Sequence, residues 1–373
     1  MLQDQKKRMN KHKVIIATGG TGGHLFPAKQ LAKQLREKNI VVAFAGGKSK
    51  FFKMENEKFF YISSGNIRRK NIISPLFKVI RGTFQSIKLI KSFKPKLIVG
   101  FGSFHCFPIL AAAKILRIPY VIYESNAVCG MVNRIFSKKA FALAVQFEGT
   151  LKHKSQNIIK TNFLPWKEIE NTQKDTVLSK LCLERNRFTL LIFGGSQGAF
   201  FLNELILKVA ERLRDKNIQI IHITGNKKTT DLVKKKYKEL NVLSYVTTFV
   251  DDIPFHCLGA SLAICRSGAG TIGDLIQTFT PSILVPYPYA TDEHQYVNAK
   301  VMQDKVKGAE LFLQKDLTEE KLIQAIDDFM HNDCLKLYKM KEKIKEFYFQ
   351  ENKKRVFLSK IVEDICLRKS TMS

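Results

Sequence analysis

Apolar positions along this chain fall into two rhythms that take turns. Short runs of adjacent apolar residues alternate with longer stretches in which apolar residues recur every three or four positions. The runs are Val14-Ile15-Ile16-Ala17, Val41 to Ala45, Phe59 to Ile62, Leu97-Ile98-Val99 and Tyr120 to Tyr123. Runs without polar alternation predict strands covered on both faces, as in a parallel sheet. Helical spacing predicts helices over Leu25 to Leu35, over 76–93 and over Ala111 to Leu116. Residues 150–186 are polar and irregular around Pro165 and Trp166, which places a domain junction near 163–170. A second alternation follows. Thr189 to Phe193, Ile218 to Ile223, Val246 to Phe249, Leu262 to Cys265 and Ser282 to Val285 read as strands. Helices are expected from the 190s to about Arg214, over 271–278, and in a tail from about 335. Repeated β–α alternation predicts α/β domains with doubly wound parallel sheets, and 373 residues are enough for two.

The ends of the strands carry the chemistry. Val14 to Ala17 runs into Gly19, Gly20, Gly22 and Gly23, and His24 closes the turn. Four glycines strip side chains from a strand-to-helix turn, so a ligand can approach the backbone. The following helix start offers N–H groups and a positive dipole end, which suits an anion. The spacing is not the dinucleotide fingerprint, and no Lys-Ser or Lys-Thr follows to make a P-loop. The layout recurs at Gly194-Gly195-Ser196-Gln197-Gly198-Ala199 and at Arg266-Ser267-Gly268-Ala269-Gly270-Thr271. Asp274, on the helix after the third turn, suits a ribose diol, and equally suits a helix-start acid that complements the dipole. Thr291 to Ala299, after Pro286 and Pro288, suits a sugar or a capped helix start. Glu124 and Asn126 leave their strand at the ligand-binding edge.

Charge divides the chain. Residues 1–165 hold 30 Lys and Arg against 6 Asp and Glu, whereas residues 166–373 hold 32 against 27. A strongly basic first half fits nucleic acid, an anionic membrane surface or a phosphorylated substrate. No recognition-helix, RNP or zinc signature accompanies it, so a nucleic-acid partner is not expected. Ile72, Ile73, Leu76, Phe77 and Ile80, with Arg68, Arg69, Lys70, Lys78 and Arg81, make an apolar patch with a basic rim that suits a membrane interface. A stripe packed on the core is the competing reading. The seven Cys are scattered, without CxxC or a Cys/His cluster, which predicts reduced thiols and no zinc site. The first residues lack the apolar core of a signal peptide, and no apolar run is long enough to span a bilayer.

Four motifs occur in register: Gly-Gly-Thr-Gly-Gly-His at 19–24, Gly-Gly-Ser-Gln-Gly-Ala at 194–199, Arg-Ser-Gly-Ala-x-Thr at 266–271 and Gln-Tyr-x-Asn-Ala at 295–299. Over roughly residues 13–350 the chain resembles the MurG family, which moves N-acetylglucosamine (GlcNAc) from UDP-GlcNAc to undecaprenyl-pyrophosphoryl-MurNAc-pentapeptide, lipid I, making lipid II of peptidoglycan. The resemblance implies a GT-B fold, two Rossmann-like domains facing across a cleft. Residues 1–163 would be the acceptor- and membrane-facing domain and 164–345 the UDP-GlcNAc-binding domain, with a C-terminal helix from about 346 packing back on the first. It implies inversion at the anomeric carbon, with no cofactor and no metal.

Carried over by motif, Thr21, Gly22, Gly23 and Asn126 match donor-contacting positions, and Ser196 a diphosphate contact. Val250 falls where uracil is met by backbone. Ala269, Gly270, Thr271, Ile272, Gly273 and Asp274 match the helix start that holds phosphate and ribose, and Gln295 a sugar contact. His24 matches the family's general base, and its place at a helix start favours the neutral, proton-accepting form. Glu124 is a second candidate base. Partners implied are UDP-GlcNAc, lipid I, the anionic cytoplasmic face of the cell membrane, and cell-wall synthesis proteins. The chain departs from the family at Glu124-Ser125-Asn126 (usually Glu-Gln-Asn) and at Gly102-Ser103-Phe104-His105-Cys106-Phe107-Pro108 (usually Gly-Gly-Tyr-Val-Ser-x-Pro). Asp274 replaces a Glu, and Thr161-Asn162-Phe163-Leu164-Pro165 lacks the family's arginine. A GT-B enzyme with another lipid acceptor, a UDP-GlcNAc 2-epimerase, a sugar-nucleotide sensor without catalysis and a basic nucleic-acid-binding protein are the competing readings.

Overall fold

The computed structural model describes residues 12–20, 22–47, 58–65, 73–147, 157–162, 172–195 and 199–367. Thr21, Ser196, Pro165, Trp166, Ile72 and Arg68 to Lys70 lie outside them. The chain divides into two compact units, residues 1–164 with 355–373, and residues 165–354.

The first unit is a parallel sheet of seven strands. They are β1 (Lys13–Ala17), β2 (Val41–Gly46), β3 (Phe59–Tyr61), β4 (Leu97–Gly100), β5 (Tyr120–Glu124), β6 (Ala142–Val145) and β7 (Ile158–Lys160). Their order is β3-β2-β1-β4-β5-β6-β7. Successive side chains of a strand point to opposite faces, and here both faces are covered. Val14 and Ile16 pack with helices α1 (Gly22–Glu37) and α12 (Leu358–Leu367). Ile15 and Ala17 pack with α2 (Ile73–Phe93), α3 (Phe107–Ile115) and α4 (Met131–Ser137). That is why β1 reads as an unbroken apolar run.

The chain re-enters this unit at Arg355, just after a helix that ends at Asn352 and is interrupted by left-handed backbone at Asp333 and Cys334. Arg355 is buried, and its Nη1 donates to the Gln146 and Thr161 carbonyls at 2.6 and 2.8 Å. Helix α2 changes face along its length. Val79, Leu89, Ile90 and Phe93 are buried, whereas Leu76, Phe77, Ile80 and Phe84 are exposed, Phe77 by 70% and Phe84 by 69%.

The second unit repeats the plan with six parallel strands: β8 (Phe188–Phe193), β9 (Ile218–Ile223), β10 (Ser244–Thr247), β11 (Leu262–Cys265), β12 (Ser282–Leu284) and β13 (Ala309–Leu311). Their order is β10-β9-β8-β11-β12-β13. The helices are α5 (Lys174–Lys180), α6 (Phe200–Arg214), α7 (Lys227–Glu239), α8 (Ile253–Gly259), α9 (Ala269–Gln277), α10 (His294–Lys300) and α11 (Glu319–Asn352). Leu190, Ile192, Leu262 and Ile264 pack with α6, α7 and α11 in one core.

Several elements escape the apolar rhythm. The stretch expected to be irregular contains β7 and α5; the helical tail expected from about 335 is the part of α11 that follows the left-handed Asp333 and Cys334. Helix α7 buries only Thr230, Val233 and Tyr237, too narrow a stripe to stand out among its lysines. Among the described residues no helix is long and apolar enough to cross a membrane.

A polar group lies in the core of the second unit. His222 on β9 is fully buried; its Nδ1 and Nε2 lie 2.9 Å from the Tyr237 hydroxyl and the Asn203 Oδ1. Burial lowers its pKa from 6.5 to about 3. Between these values unfolding takes up a proton, so the stabilisation is complete above pH 6.5 and is lost as pH falls toward 3. The thermal midpoint should therefore drop on acidification through this window. His222→Gln, which keeps hydrogen bonding without the titration, should flatten that part of the curve in pH-resolved calorimetry.

Candidate active site

Each sheet has a point at which its connections change sides. In the first, β1 sends its chain to α1 on one face, while β4 sends its chain to α3 on the other. A crevice opens there, beyond the carboxyl ends of β1 and β4. Two glycine turns border it. Gly20 and Gly102 have φ of 88° and 81°, a region that favours glycine. At Gly102 a Cβ would stand 3.2 Å from Asn133 Nδ2 and 3.5 Å from His24 Cε1.

His24 lies in the first turn of α1 and is partly exposed. Thr18 Oγ1 donates to its carbonyl at 3.0 Å, which ties the turn to the helix. The His24 Nδ1 is 2.8 Å from the Phe101 carbonyl oxygen. A carbonyl only accepts, so Nδ1 carries the proton, and in the neutral ring Nε2 holds the lone pair. The bond to Phe101 fixes the orientation of the imidazole.

Glu124, the second candidate base, is bound into its own loop. It is 3% exposed, and both its oxygens are taken. Oε1 accepts from the Asn126 N–H and from Asn126 Nδ2, each at 3.0 Å. Oε2 accepts from the Gly130 N–H at 2.9 Å and from Asn133 Nδ2 at 2.8 Å. Four N–H donors thus occupy the two carboxylate oxygens. Its work is to shape the loop of residues 125–130, including Asn126, and to place Asn133 against Gly102. Gly22 and Gly23 open α1, Gly22 buried and Gly23 exposed.

A second histidine shares the crevice. His105 lies in a short 3₁₀ turn, Phe104–Cys106, between β4 and α3. Its Nδ1 is 2.6 Å from Ser64 Oγ, and its ring packs on Phe104 with centroids 4.0 Å apart. Burial, and next the charge of His24, push its pKa down to about 4. The motif pattern gives His105 no role; its sequence signal is a histidine in a strand-end loop where the family usually has Val.

In the second unit the crevice lies beyond β8 and β11. Gly195 (φ 82°) and Gly270 have open space where a Cβ would stand. Gly268 precedes α9, whose N-terminal N–H groups are available to an anion. Ala269, Ile272 and Gly273 are buried; Thr271 and Asp274 are partly exposed. Because α9 starts at Ala269, Asp274 falls in its second turn, away from the dipole end that would otherwise explain an acid. Val250 follows β10, and its backbone makes no backbone hydrogen bond among the described residues.

Arg266 turns inward. It donates to the Val285 and Pro286 carbonyls at 3.0 and 3.1 Å and to Gln314 Oε1 at 2.7 Å. Its ring partner is Tyr287, 5.6 Å away. It braces the loop after β12 instead of meeting phosphate. Gln295 is fixed on the same loop: its Oε1 accepts from the Tyr287 N–H at 3.0 Å, and its carbonyl accepts from Ser267 Oγ at 2.8 Å. Its Nε2 has no partner among the described residues and is available to a hydroxyl. Among the described residues, no group of three His, Cys, Asp or Glu side chains could hold a metal.

Residues 14–145 match the model of the glycosyltransferase family 28 N-terminal domain, and residues 189–356 that of its C-terminal domain. A protein of Protochlamydia amoebophila named UDP-N-acetylglucosamine--N-acetylmuramyl-(pentapeptide) pyrophosphoryl-undecaprenol N-acetylglucosamine transferase is 37% identical over 84% of this chain and 86% of its own. The chain belongs to the MurG family of glycosyltransferase family 28. A Francisella tularensis member with the same name is 31% identical over 92% of this chain and 95% of its own. The crystal structure of Acinetobacter baumannii MurG aligns with a TM-score of 0.70 at 26% identity, over 95% of this chain and 99% of that one. The protein is thus a glycosyltransferase of the GT-B class, with one family-28 domain match in each unit.

The geometry separates two roles for Glu124. Glu124→Gln exchanges an oxygen for an NH₂ group that faces donors. It should lower the thermal midpoint along with turnover, a loss of about 2–4 kcal/mol from hydrogen bonds to a charged group. A large loss of turnover with an unchanged midpoint would instead mark it as a base.

Proposed function

We propose that this glycosyltransferase transfers GlcNAc from UDP-GlcNAc to the 4-hydroxyl of MurNAc in lipid I, forming lipid II. The carrying observation is the bond from His24 Nδ1 to the Phe101 carbonyl, which leaves Nε2 as the proton acceptor at the mouth of the glycine turn. The names and lengths of the relatives support the same reaction.

The reaction is a direct displacement. The acceptor hydroxyl loses its proton to His24 Nε2 and attacks C1 of GlcNAc as the bond to UDP breaks, with inversion. Negative charge grows on the departing diphosphate. The α9 start, with Gly195 and Gly270 leaving backbone open, would stabilise that charge through N–H groups. Val250 would meet the uracil through its backbone, Asp274 the ribose, and Gln295 Nε2 the sugar hydroxyls. Thr21, Gly22, Gly23, Asn126 and Ser196 keep the donor contacts that the family resemblance assigns them. His24→Ala should reduce kcat by about 10²–10⁴-fold with UDP-GlcNAc affinity unchanged, read from transfer of labelled GlcNAc into lipid. Near-normal turnover would remove His24 from the base role.

The acceptor is a membrane lipid, and the first unit supplies a surface for it. Leu76, Phe77, Ile80 and Phe84 stand exposed on α2 beside Lys78 and Arg81. Burying such side chains in the headgroup region contributes ~1.5–3 kcal/mol for each one fully covered, and the cations add attraction to anionic lipid. This reading places the protein peripherally on the cytoplasmic face of the membrane. Phe77→Glu combined with Phe84→Glu should abolish co-sedimentation with vesicles containing anionic lipid. Binding by the unaltered protein that ignores salt and lipid charge would sink this assignment.

A further inference from the structure

His105 has a geometry that the reaction above does not use. Its support is rigid. The Ser63 N–H donates to Gln85 Oε1 of α2 at 2.9 Å, and Gly82 passes so near that a Cβ there would stand 1.9 Å from the Ser63 carbonyl. Ser64 is therefore held in place. Its hydroxyl has no acceptor among the described residues other than His105 Nδ1, so the Ser64 proton goes to Nδ1 and the ring proton sits on Nε2. Nε2 has no protein partner among the described residues.

The ring also lies under the glycine turns. A Cβ at Gly19 would come within 2.9 Å of the His105 Cβ, and one at Gly47 within 2.0 Å of its Nδ1. At Gly20 the distance to Nε2 would be 3.9 Å, so the N–H edge lies beside the turn that leads to His24. With a pKa near 4 the ring is neutral at physiological pH. An uncharged N–H donor matches a sugar oxygen better than a diphosphate, which favours cations. The unit that carries it is also the one with His24 and the exposed stripe of α2.

We propose that His105 binds the acceptor sugar: Ser64 sets its tautomer, and Nε2–H donates a hydrogen bond to an oxygen of that sugar beside the hydroxyl that His24 deprotonates. This rests on lipid I as acceptor. It assigns the chain's departure from Val in the second loop to acceptor recognition.

The test is steady-state kinetics of the full chain with lipid I and UDP-GlcNAc varied separately. His105→Val should raise the KM for lipid I by about 3- to 10-fold and leave that for UDP-GlcNAc within about twofold. His105→Gln, which returns an uncharged N–H near the place of Nε2, should recover most of the loss. Ser64→Ala should raise the same KM by a smaller factor, and it decides the matter alone if His105→Val does not fold. An unchanged lipid I KM overturns the proposal. So does a parallel loss for both substrates with a lowered thermal midpoint and no rescue by Gln, since a floor for the glycine turn would behave that way. A wild-type protein that puts no GlcNAc onto lipid I overturns the acceptor reading and this proposal together; one that does, with variants that match it, overturns only this one.

Discussion

The hydrogen bond from His24 Nδ1 to the Phe101 carbonyl spans the point at which the first sheet changes the side of its connections. Much of the first unit follows from what that bond requires. Two loops from neighbouring strands must approach without side chains between them, so glycine occupies positions 20 and 102 at φ values other residues rarely adopt. The carbonyl must be held still, and Asn133, bound by Glu124, lies against the neighbouring Gly102. The bond then selects one tautomer of one histidine. A glycine loop at a helix start is common to many ligands; the fixed orientation of His24 is what distinguishes this one.

The second unit uses the same topology with a different chemical content. Gly195 and Gly270 have open space where a Cβ would stand. The charged residue of its third turn, Arg266, is drawn inward to carbonyls of the next loop. What remains at the surface of that crevice is backbone, a partly exposed Asp274 and a Gln295 with its amide held at one end. Such a site suits a ligand whose own charge changes in the reaction, because fixed dipoles stabilise it without rearrangement. Basic charge is concentrated on the other unit, beside the exposed apolar residues of α2. One topology thus carries an oriented histidine in one unit and open backbone at a helix start in the other.

Buried polar groups show why the loops keep their shape. Glu124, Arg266, His222 and Arg355 are all nearly inaccessible to water. Each bonds protein donors or acceptors, which offsets much of the desolvation that would otherwise make it destabilising, although Arg355 Nε is buried without a hydrogen bond among the described residues. Arg355 sits where the chain comes back to the first unit and binds carbonyls at the ends of β6 and β7. Removing one partner from such a set costs more than the set contributes when intact, because the other partner stays buried.

The alternation of sheet and helix, the two-fold repeat of the plan, the glycine turns and His24 were legible in the sequence. Each depends on local rules: side-chain period, backbone freedom at glycine, and the place of a turn after a strand. Short or lysine-covered elements such as β7 and α7 were not, because their buried stripes are too narrow for a period to emerge. The roles of charged residues were the least legible. Glu124 and Arg266 stand in motifs that suggest contact with substrate, and only packing decides that their hydrogen bonds turn inward. His105 stayed silent for the same reason, since Ser64, Gly20 and Gly47 meet it from three separate loops. By itself the sequence determined which backbone could come close to a ligand. Tertiary structure alone decided which side chains face it, because a polar group is committed by whichever partner, near or far in the chain, satisfies it first.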